Sequence, residues 1–317
     1  MLDILFIYFI NRLAARLAMV FLLIACSAHP ALADSLTVSL VLSDSTPSYQ
    51  QFSAALNKAL VENHADVAVV ESQAGEKLKA GSNGKIDLVV AVGVKAAEFA
   101  AANFNAPLLS VMVPKTSYEA LLEKHSSRYS AKTASVIYLD QPWDRQLSFI
   151  QAAFPKHSVV GVLYSPNTPI VLPRLPRGMS LNAKSVRPDG TLFAALEDIL
   201  NDSDVLLVIP DGEIYSSNNV RNILLTSYRH KVPLIGISQA YVNAGALGAI
   251  FSTPEQLAKQ AGEAVIFFEQ NRLLPEPRYP VLFSIAVNQQ IARSLGIALD
   301  SPEAIRERMN KAVEGEQ

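Results

Sequence analysis

Asp211 follows a continuous apolar run, Val205-Leu-Leu-Val-Ile209, and Pro210 sets it apart from that run. An uninterrupted run rich in β-branched residues predicts a strand buried on both faces, as a parallel sheet between helix layers requires. Open α/β sheets hold ligands just past the carboxyl ends of their strands, so Asp211 stands where a carboxylate would act. Asp44 and Asp140 end two other apolar runs, 36–42 and 134–139. Each of the three acids also reads as a helix cap or a solvated loop acid, Asp140 most of all. Ser238 lies in Gly236-Ile-Ser-Gln-Ala240, a nucleophile-elbow pattern whose last glycine is replaced. The elbow needs a helix straight after the serine and, in α/β-hydrolases, a later histidine. The last histidine is His230, and Tyr241-Val-Asn-Ala-Gly245 is a poor helix start. Ser238 therefore reads as a hydroxyl lining a cleft or capping backbone, and the chain is not expected to be an enzyme.

Metal and phosphate chemistry find little support. The histidines at 29, 64, 125, 157 and 230 are scattered, with no i, i+4 pair, and the one cysteine is Cys26. A zinc cluster is not expected from that set. Gly81-Ser-Asn-Gly84 lacks the Lys-Ser/Thr that completes a phosphate loop. No cofactor is expected. The strand ends suit binding instead. One group offers Ser43, Asp44, Ser45, Gly93, Val94 and Pro114; the other offers Tyr164, Ser165, Asn167, Asp211, Ser238 and Tyr241. Small hydroxyls, a carboxylate for an amine, and tyrosines able to stack on a ring suit a small polar or aromatic metabolite. Each tyrosine reads equally well as a core residue with its hydroxyl satisfied. On the binding reading, Asp211→Ala weakens ligand and leaves the ligand-free melting point nearly unchanged.

Strands are expected at 36–42, 66–70, 86–92, 107–113, 134–139, 158–164, 180–186, 204–209, 233–238, 245–252 and 281–287. Helices are expected at 49–63, from 94, 143–154, 191–200, 218–229, 255–272 and 288–295, with a charged helix from 301. The repeated alternation predicts an α/β fold of parallel sheets with right-handed crossovers. The two series together are larger than one core grows, which predicts two lobes. The expected division is 34–135 for the first lobe, 136–244 for the second, 245–272 returning to the first, and 273–317 ending the second with the C-terminal helix.

The chain has 317 residues, is 50% hydrophobic and carries a formal charge of −2, so nothing marks a nucleic-acid surface. Arg12 and Arg16 precede the apolar core 17–25, and Ala31-Leu-Ala33 offers a cleavage site before Asp34. Residues 1–33 read as an export signal. The upstream run Leu5-Phe-Ile-Tyr-Phe-Ile10 leaves open a downstream start or a retained anchor, although Asn11, Arg12 and Arg16 interrupt the about 20 apolar residues a span needs. Leu23-Ile-Ala-Cys26 is similar to a lipobox, making Cys26 a candidate for lipidation. Cleavage after Ala33 leaves no cysteine, so an oxidising compartment demands no disulfide.

The segments Asp140-Gln-Pro-Trp-Asp-Arg-Gln-Leu-Ser-Phe-Ile-Gln-Ala-Ala-Phe-Pro155, Val159-Val-Gly-Val-Leu-Tyr164 and Lys231-Val-Pro-Leu-Ile-Gly-Ile-Ser-Gln-Ala-Tyr-Val-Asn-Ala-Gly-Ala-Leu247 carry a resemblance. They resemble ABC-transporter substrate-binding proteins of the tryptophan/tyrosine-binding type. The resemblance covers roughly 134–297, and the first lobe only in strand order. It implies a two-lobed type I periplasmic binding fold that closes on a small, amino-acid-like ligand. The positions it would turn to the cleft are Tyr164, Ser165, Asp211, Ser238 and Tyr241. It further implies a monomer in the periplasm that hands its solute to an inner-membrane ABC permease; a sensory module reporting to a membrane kinase or receptor is the alternative. Two departures bear on the ligand: Asp44-Ser-Thr-Pro-Ser lacks the family's histidine-proline-leucine start, and Pro169-Ile-Val-Leu-Pro-Arg-Leu-Pro176 is shorter and stiffer than usual.

Overall fold

The computed structural model describes residues 35–76, 85–127, 129, 130, 133–156, 158–168, 170, 171, 173–187 and 191–315. The expected export signal with Cys26 and the Gly81-Ser-Asn-Gly84 turn lie outside the described residues. Two sheets organise residues 36–317. The first has the order β2-β1-β3-β4-β5, built from β1 (Leu36–Leu42), β2 (Val67–Gln73), β3 (Leu88–Val92), β4 (Leu108–Val113) and β5 (Ala134–Tyr138). All its pairings are parallel. The second has the order β11-β10-β9-β8-β6-β7, from β6 (Val159–Tyr164), β7 (Ser180–Ser185), β8 (Val205–Leu207), β9 (Leu234–Gly236), β10 (Gly248–Phe251) and β11 (Ser284–Val287). It is parallel except for its edge strand β11, which runs antiparallel to β10.

The buried strands are the continuous apolar runs. Every residue of β1, β3 and β5 is buried, because helices cover both faces of the first sheet. On one face lies α1 (Pro47–Glu62), which turns Phe52, Leu56 and Leu60 inward at helical spacing, with Pro47 preset at its start. On the other lie α2 (Val94–Asn103), which packs Ala96, Ala97, Ala100 and Ala101, and α3 (Lys115–Lys124), which packs Tyr118 and Leu121. The second lobe buries α4 (Trp143–Ala153), α5 (Leu192–Asn201) and α6 (Val220–Arg229) in one cluster with β6 and β8.

Two short helices, α7 (Gln239–Ala244) and α9 (Gln289–Leu295), follow β9 and β11. The long helix α8 (Pro254–Asn271) packs on α1, where Gly262 brings the two backbones together; a Cβ there would stand 3.3 Å from that of Ala59. The helix α10 (Pro302–Gly315) ends the chain. Among the described residues, no helix is long and apolar enough to cross a membrane.

The chain passes between the sheets three times: at 139–142 after β5, at 252–253 after β10, and at 272–283 after α8. Strands of a parallel sheet all end along one edge. Because the chain leaves the first sheet from the end of β5 and the second from the end of β10, the crossings border the carboxyl edges of both. The third crossing confirms this: Ser284, which opens β11, pairs with Phe251, which closes β10. Before that, the same crossing lies along β5. Tyr138 N donates to Arg278 O at 3.0 Å and Arg278 N donates to Val136 O at 2.9 Å, covering an edge that would otherwise be open.

The segment 245–252 contributes β10 to the second sheet, and the return to the first lobe begins at Thr253. That residue starts α8 with a capping box: its Oγ1 accepts from Gln256 N at 3.2 Å, and Gln256 Oε1 accepts from Thr253 N at 3.0 Å. Val281 and Leu282, expected in the last strand, belong to the third crossing instead, so β11 starts at Ser284. Thr253→Ala should lower unfolding free energy by about 1 kcal/mol, read from the urea midpoint; an unchanged midpoint would show that the cap carries nothing.

Candidate functional site

Strand order picks out one place in each lobe. From β1 the chain moves to β2 on one side, while β3 lies on the other, and α1 and α2, which follow β1 and β3, cover opposite faces. The loops after β1 and β3 therefore part and leave a crevice at the carboxyl edge. In the second sheet β6 plays the part of β1, with β7 on one side and β8 on the other. Its crevice lies between the loops after β6 and β8.

In the first lobe that crevice is built on Ser43, which is buried. Its Oγ donates to Val92 O at 2.9 Å and accepts from Ala96 N at 3.0 Å, tying the end of β1 to the end of β3 and the first turn of α2. Gly93 sits at φ +87°, ψ 166°, a conformation open to glycine. A Cβ there would fall 2.4 Å from the Tyr49 hydroxyl and 2.6 Å from Ser43 Oγ. Tyr49 is half-buried, and its phenol is pushed above its ordinary pKa by burial and by the nearby Asp44 charge, against the opposing hydrogen bond with Ser43. Asp44 and Ser45 are exposed on the rim, where Asp44 Oδ1 accepts from Thr46 N at 2.8 Å. Of the expected residues, Gly93 is at the crevice floor and Asp44 and Ser45 are at its lip. Tyr49 was not anticipated, since one tyrosine in a first helical turn carries no signal of its own.

In the second lobe Asp211 is buried, and its carboxylate is occupied by backbone. Oδ2 accepts from Ser165 N at 2.6 Å, and Oδ1 accepts from Glu213 N at 2.9 Å and Ile214 N at 3.1 Å. These bonds staple the loop after β6 to the loop after β8. Asn167 Nδ2 adds a second staple, donating to Glu213 Oε1 at 2.8 Å. The expectation of a free carboxylate with no stake in ligand-free stability therefore changes, because Asp211 braces the crevice. Ser165 is fully buried beneath it.

Tyr164 is half-buried at the end of β6, against the lobe core. Tyr215, also unanticipated, is buried and donates its hydroxyl to Leu163 O at 3.2 Å. Burial raises its pKa first, with Tyr241 nearby adding to the effect. Tyr241 lies against Gly236, where a Cβ would come within 2.2 Å of the tyrosine's own Cβ. Burial pushes its phenol up to about 12, so the ring is neutral at physiological pH.

Ser238 is half-buried, with extended backbone, and immediately precedes α7. A helix thus does follow the serine, contrary to the expectation of a poor helix start. Its end is secured by Gly245 in the left-handed conformation at φ 119° and by Ala246 N donating to Tyr241 O at 2.9 Å. The serine makes no side-chain cap bond to the helix. Among the described residues, no group of three or more His, Cys, Asp or Glu is placed to hold a metal. A cavity of about 350 Å³ lies elsewhere, lined by Ser284, Pro302, Arg306 and Asn310 among others, and contains none of the crevice residues.

Asp140, expected as a cap, caps a helix 25 residues back in the chain: its Oδ2 accepts from Lys115 N at 2.7 Å. It does not cap α4, whose leading residue is Pro142. Burial raises its carboxyl to about 6, against the pull of that amide and of the Lys115 charge.

A two-lobed α/β chain joined by three crossings at the carboxyl edges of both sheets is a type I periplasmic binding fold. The family model for ABC transporter substrate binding proteins matches residues 48–301, and the chain belongs to that family. No curated protein matches it. Solved structures share the fold at low identity. A ligand-free, open substrate binding protein with adhesive properties from Clostridium difficile is 17% identical, with TM-score 0.63 over 85% of this chain and 97% of that one. An ABC domain from Streptococcus pneumonia in complex with L-Trp is 16% identical, with TM-score 0.60 over 87% and 98%. A conserved domain protein from Vibrio cholerae is 15% identical, with TM-score 0.60 over the same shares.

Two outcomes test the electrostatics. Asp211→Ala should cost the ligand-free protein roughly 3 kcal/mol, because buried amides lose a charged acceptor; a urea midpoint matching that of the parent would mean water replaces the carboxylate. Asp140 holds its proton more tightly folded than unfolded, so it contributes most to stability at low pH. That contribution falls as pH rises from about 4 through about 6. The unfolding free energy of the parent minus that of Asp140→Asn should therefore drop across this window by on the order of 2 kcal/mol. A flat difference between pH 4 and 7.5 would contradict it.

Proposed function

We propose that this chain is an exported solute-binding protein that captures a small amino-acid-like or aromatic metabolite between its lobes and delivers it to an inner-membrane ABC permease. The observation that carries this reading is the position of the two crevices. Both lie at carboxyl edges, and both edges border the crossings, so a solute seated between the lobes meets both sets of loops. Tyr49 and the backbone at Gly93, held by Ser43, supply a hydroxyl and a close backbone approach from one side. Tyr164, Tyr241 and Ser238 supply rings and a hydroxyl from the other. Tyrosine rings stack on an aromatic ring, and their hydroxyls serve either as donors or acceptors. Asp211 acts through the loops it braces. Closure is driven only by the additional contacts the solute makes when both lobes reach it.

The test is a thermal-shift screen of the full chain against amino acids, nucleosides and vitamins. A solute at 100 times its dissociation constant should add about 2.7 kcal/mol of stability. Tyr164→Ala and Tyr241→Ala together should abolish that gain; a hit that survives both places the solute elsewhere.

A further inference from the structure

Each crossing has one residue that meets a residue of another crossing. Gln141, buried in the first, donates through Nε2 to Ser252 Oγ in the second at 3.0 Å. Ser252 Oγ donates in turn to Leu282 O in the third at 2.6 Å. One hydroxyl, accepting once and donating once, thus links all the segments that join the lobes. The chain of bonds has a fixed direction. Arg145, on the first turn of α4, donates to Gln141 Oε1 at 2.6 Å, which turns the amide nitrogen toward Ser252 and leaves the serine proton for Leu282.

Arg145 also donates to Pro280 O at 2.7 Å and lies over the Phe283 ring at 4.6 Å, so it holds both sides of the third crossing's turn. Among the described residues no carboxylate pairs with it, so its charge acts on these neutral acceptors and the ring. Burial, and then the nearby Arg306, lower its pKa. Either side of this layer the chain is committed to one lobe. Residue 278 is bonded into the first sheet, Val281 N donates to Gln260 Oε1 on α8 at 2.7 Å, and Ser284 begins β11 of the second.

We propose that Arg145, Gln141 and Ser252 form a hinge pin that couples the three crossings and sets the orientation of one lobe relative to the other. They act as positioning residues. Rotation of a lobe must turn 139–142, 252–253 and 281–283 together, and the hydroxyl at 252 permits only the rotations that keep both its bonds. Removing it leaves a buried amide donor and a carbonyl unpaired and lets the crossings turn independently. The proposal rests on the solute-binding reading for its functional consequence alone, because the test needs no solute.

Spin labels at Glu98→Cys and Glu197→Cys, both exposed and in different lobes, are introduced into the full chain carrying Cys26→Ser. The inter-label distance distribution is then measured by pulsed electron resonance. Ser252→Ala and, independently, Gln141→Met should broaden that distribution, while Ser252→Thr, which keeps a hydroxyl, should restore the parent's width. If both disrupting variants reproduce the parent distribution, or if Ser252→Thr broadens it as much as Ser252→Ala does, the pin is refuted. Should no solute ever be found, the distance result still decides the hinge.

Discussion

The structure depends on one constraint: parallel strands bring every carboxyl end to the same edge of a sheet, and the chain changes lobes only from those edges. The consequence is geometric before it is chemical. Loops that need no regular hydrogen bonding are gathered beside the joint, and α4 and α8 start from it, with Arg145 in the first turn of α4 reaching back to the crossings. The apolar faces are settled elsewhere, with α1 and α8 packed together over the first sheet and α4, α5 and α6 around the second. The loops can then be specified by polar contacts, because their positions are already determined by the strands beneath them.

Those polar contacts follow a common rule in both lobes. A buried side chain bridges the two loops that part at the point where strand order reverses. Ser43 does so with a neutral hydroxyl between β1 and β3, and Asp211 with a carboxylate between β6 and β8. The difference in chemistry matches the difference in local structure. In the first lobe α2 starts directly after β3, so a hydroxyl reaching one amide of its first turn suffices. After β8 the chain runs through an irregular stretch before α6, and its amides at Glu213 and Ile214 converge with that of Ser165, from the loop after β6, on one point. The two oxygens of Asp211 together accept all three. On the solute-binding reading proposed above, a crevice held by such braces is already shaped when a solute arrives, which reduces the ordering cost of binding.

The strands, most of the helices and the two-lobed division were legible in the sequence, because uninterrupted apolar runs and helical spacing are local signals. Strand order was not, since it depends on which crossover lies on which face. The reversal points therefore came from the structure, and with them the reason Tyr164, Ser165 and Asp211 belong together. Asp211 was legible as a position and not as a role: nothing near it in sequence announces that Ser165 N, 46 residues away, lies against it. Asp140 shows the same limit, having been read as a local cap while its partner amide belongs to α3. The helix after Ser238 was missed for a different reason. It is only six residues long, with Tyr241, Val242 and Asn243 of modest helix preference at its centre, and its order comes from the left-handed Gly245 and from Tyr241 packing on Gly236.

The crossings, in contrast, are poor in local signal and rich in long-range polar contacts, and this has a physical basis. A joint filled with close-packed apolar side chains would resist rotation in every direction, because such interiors are bistable at best. Directed hydrogen bonds resist some displacements strongly and others little, since they weaken with angle and distance. In the proposed hinge pin, Gln141, Ser252 and the carbonyl of Leu282, with Arg145 fixing the polarity of the series, give the joint a preferred orientation. On the solute-binding reading proposed above, lobes that both hold an orientation and leave it on meeting a solute require that combination.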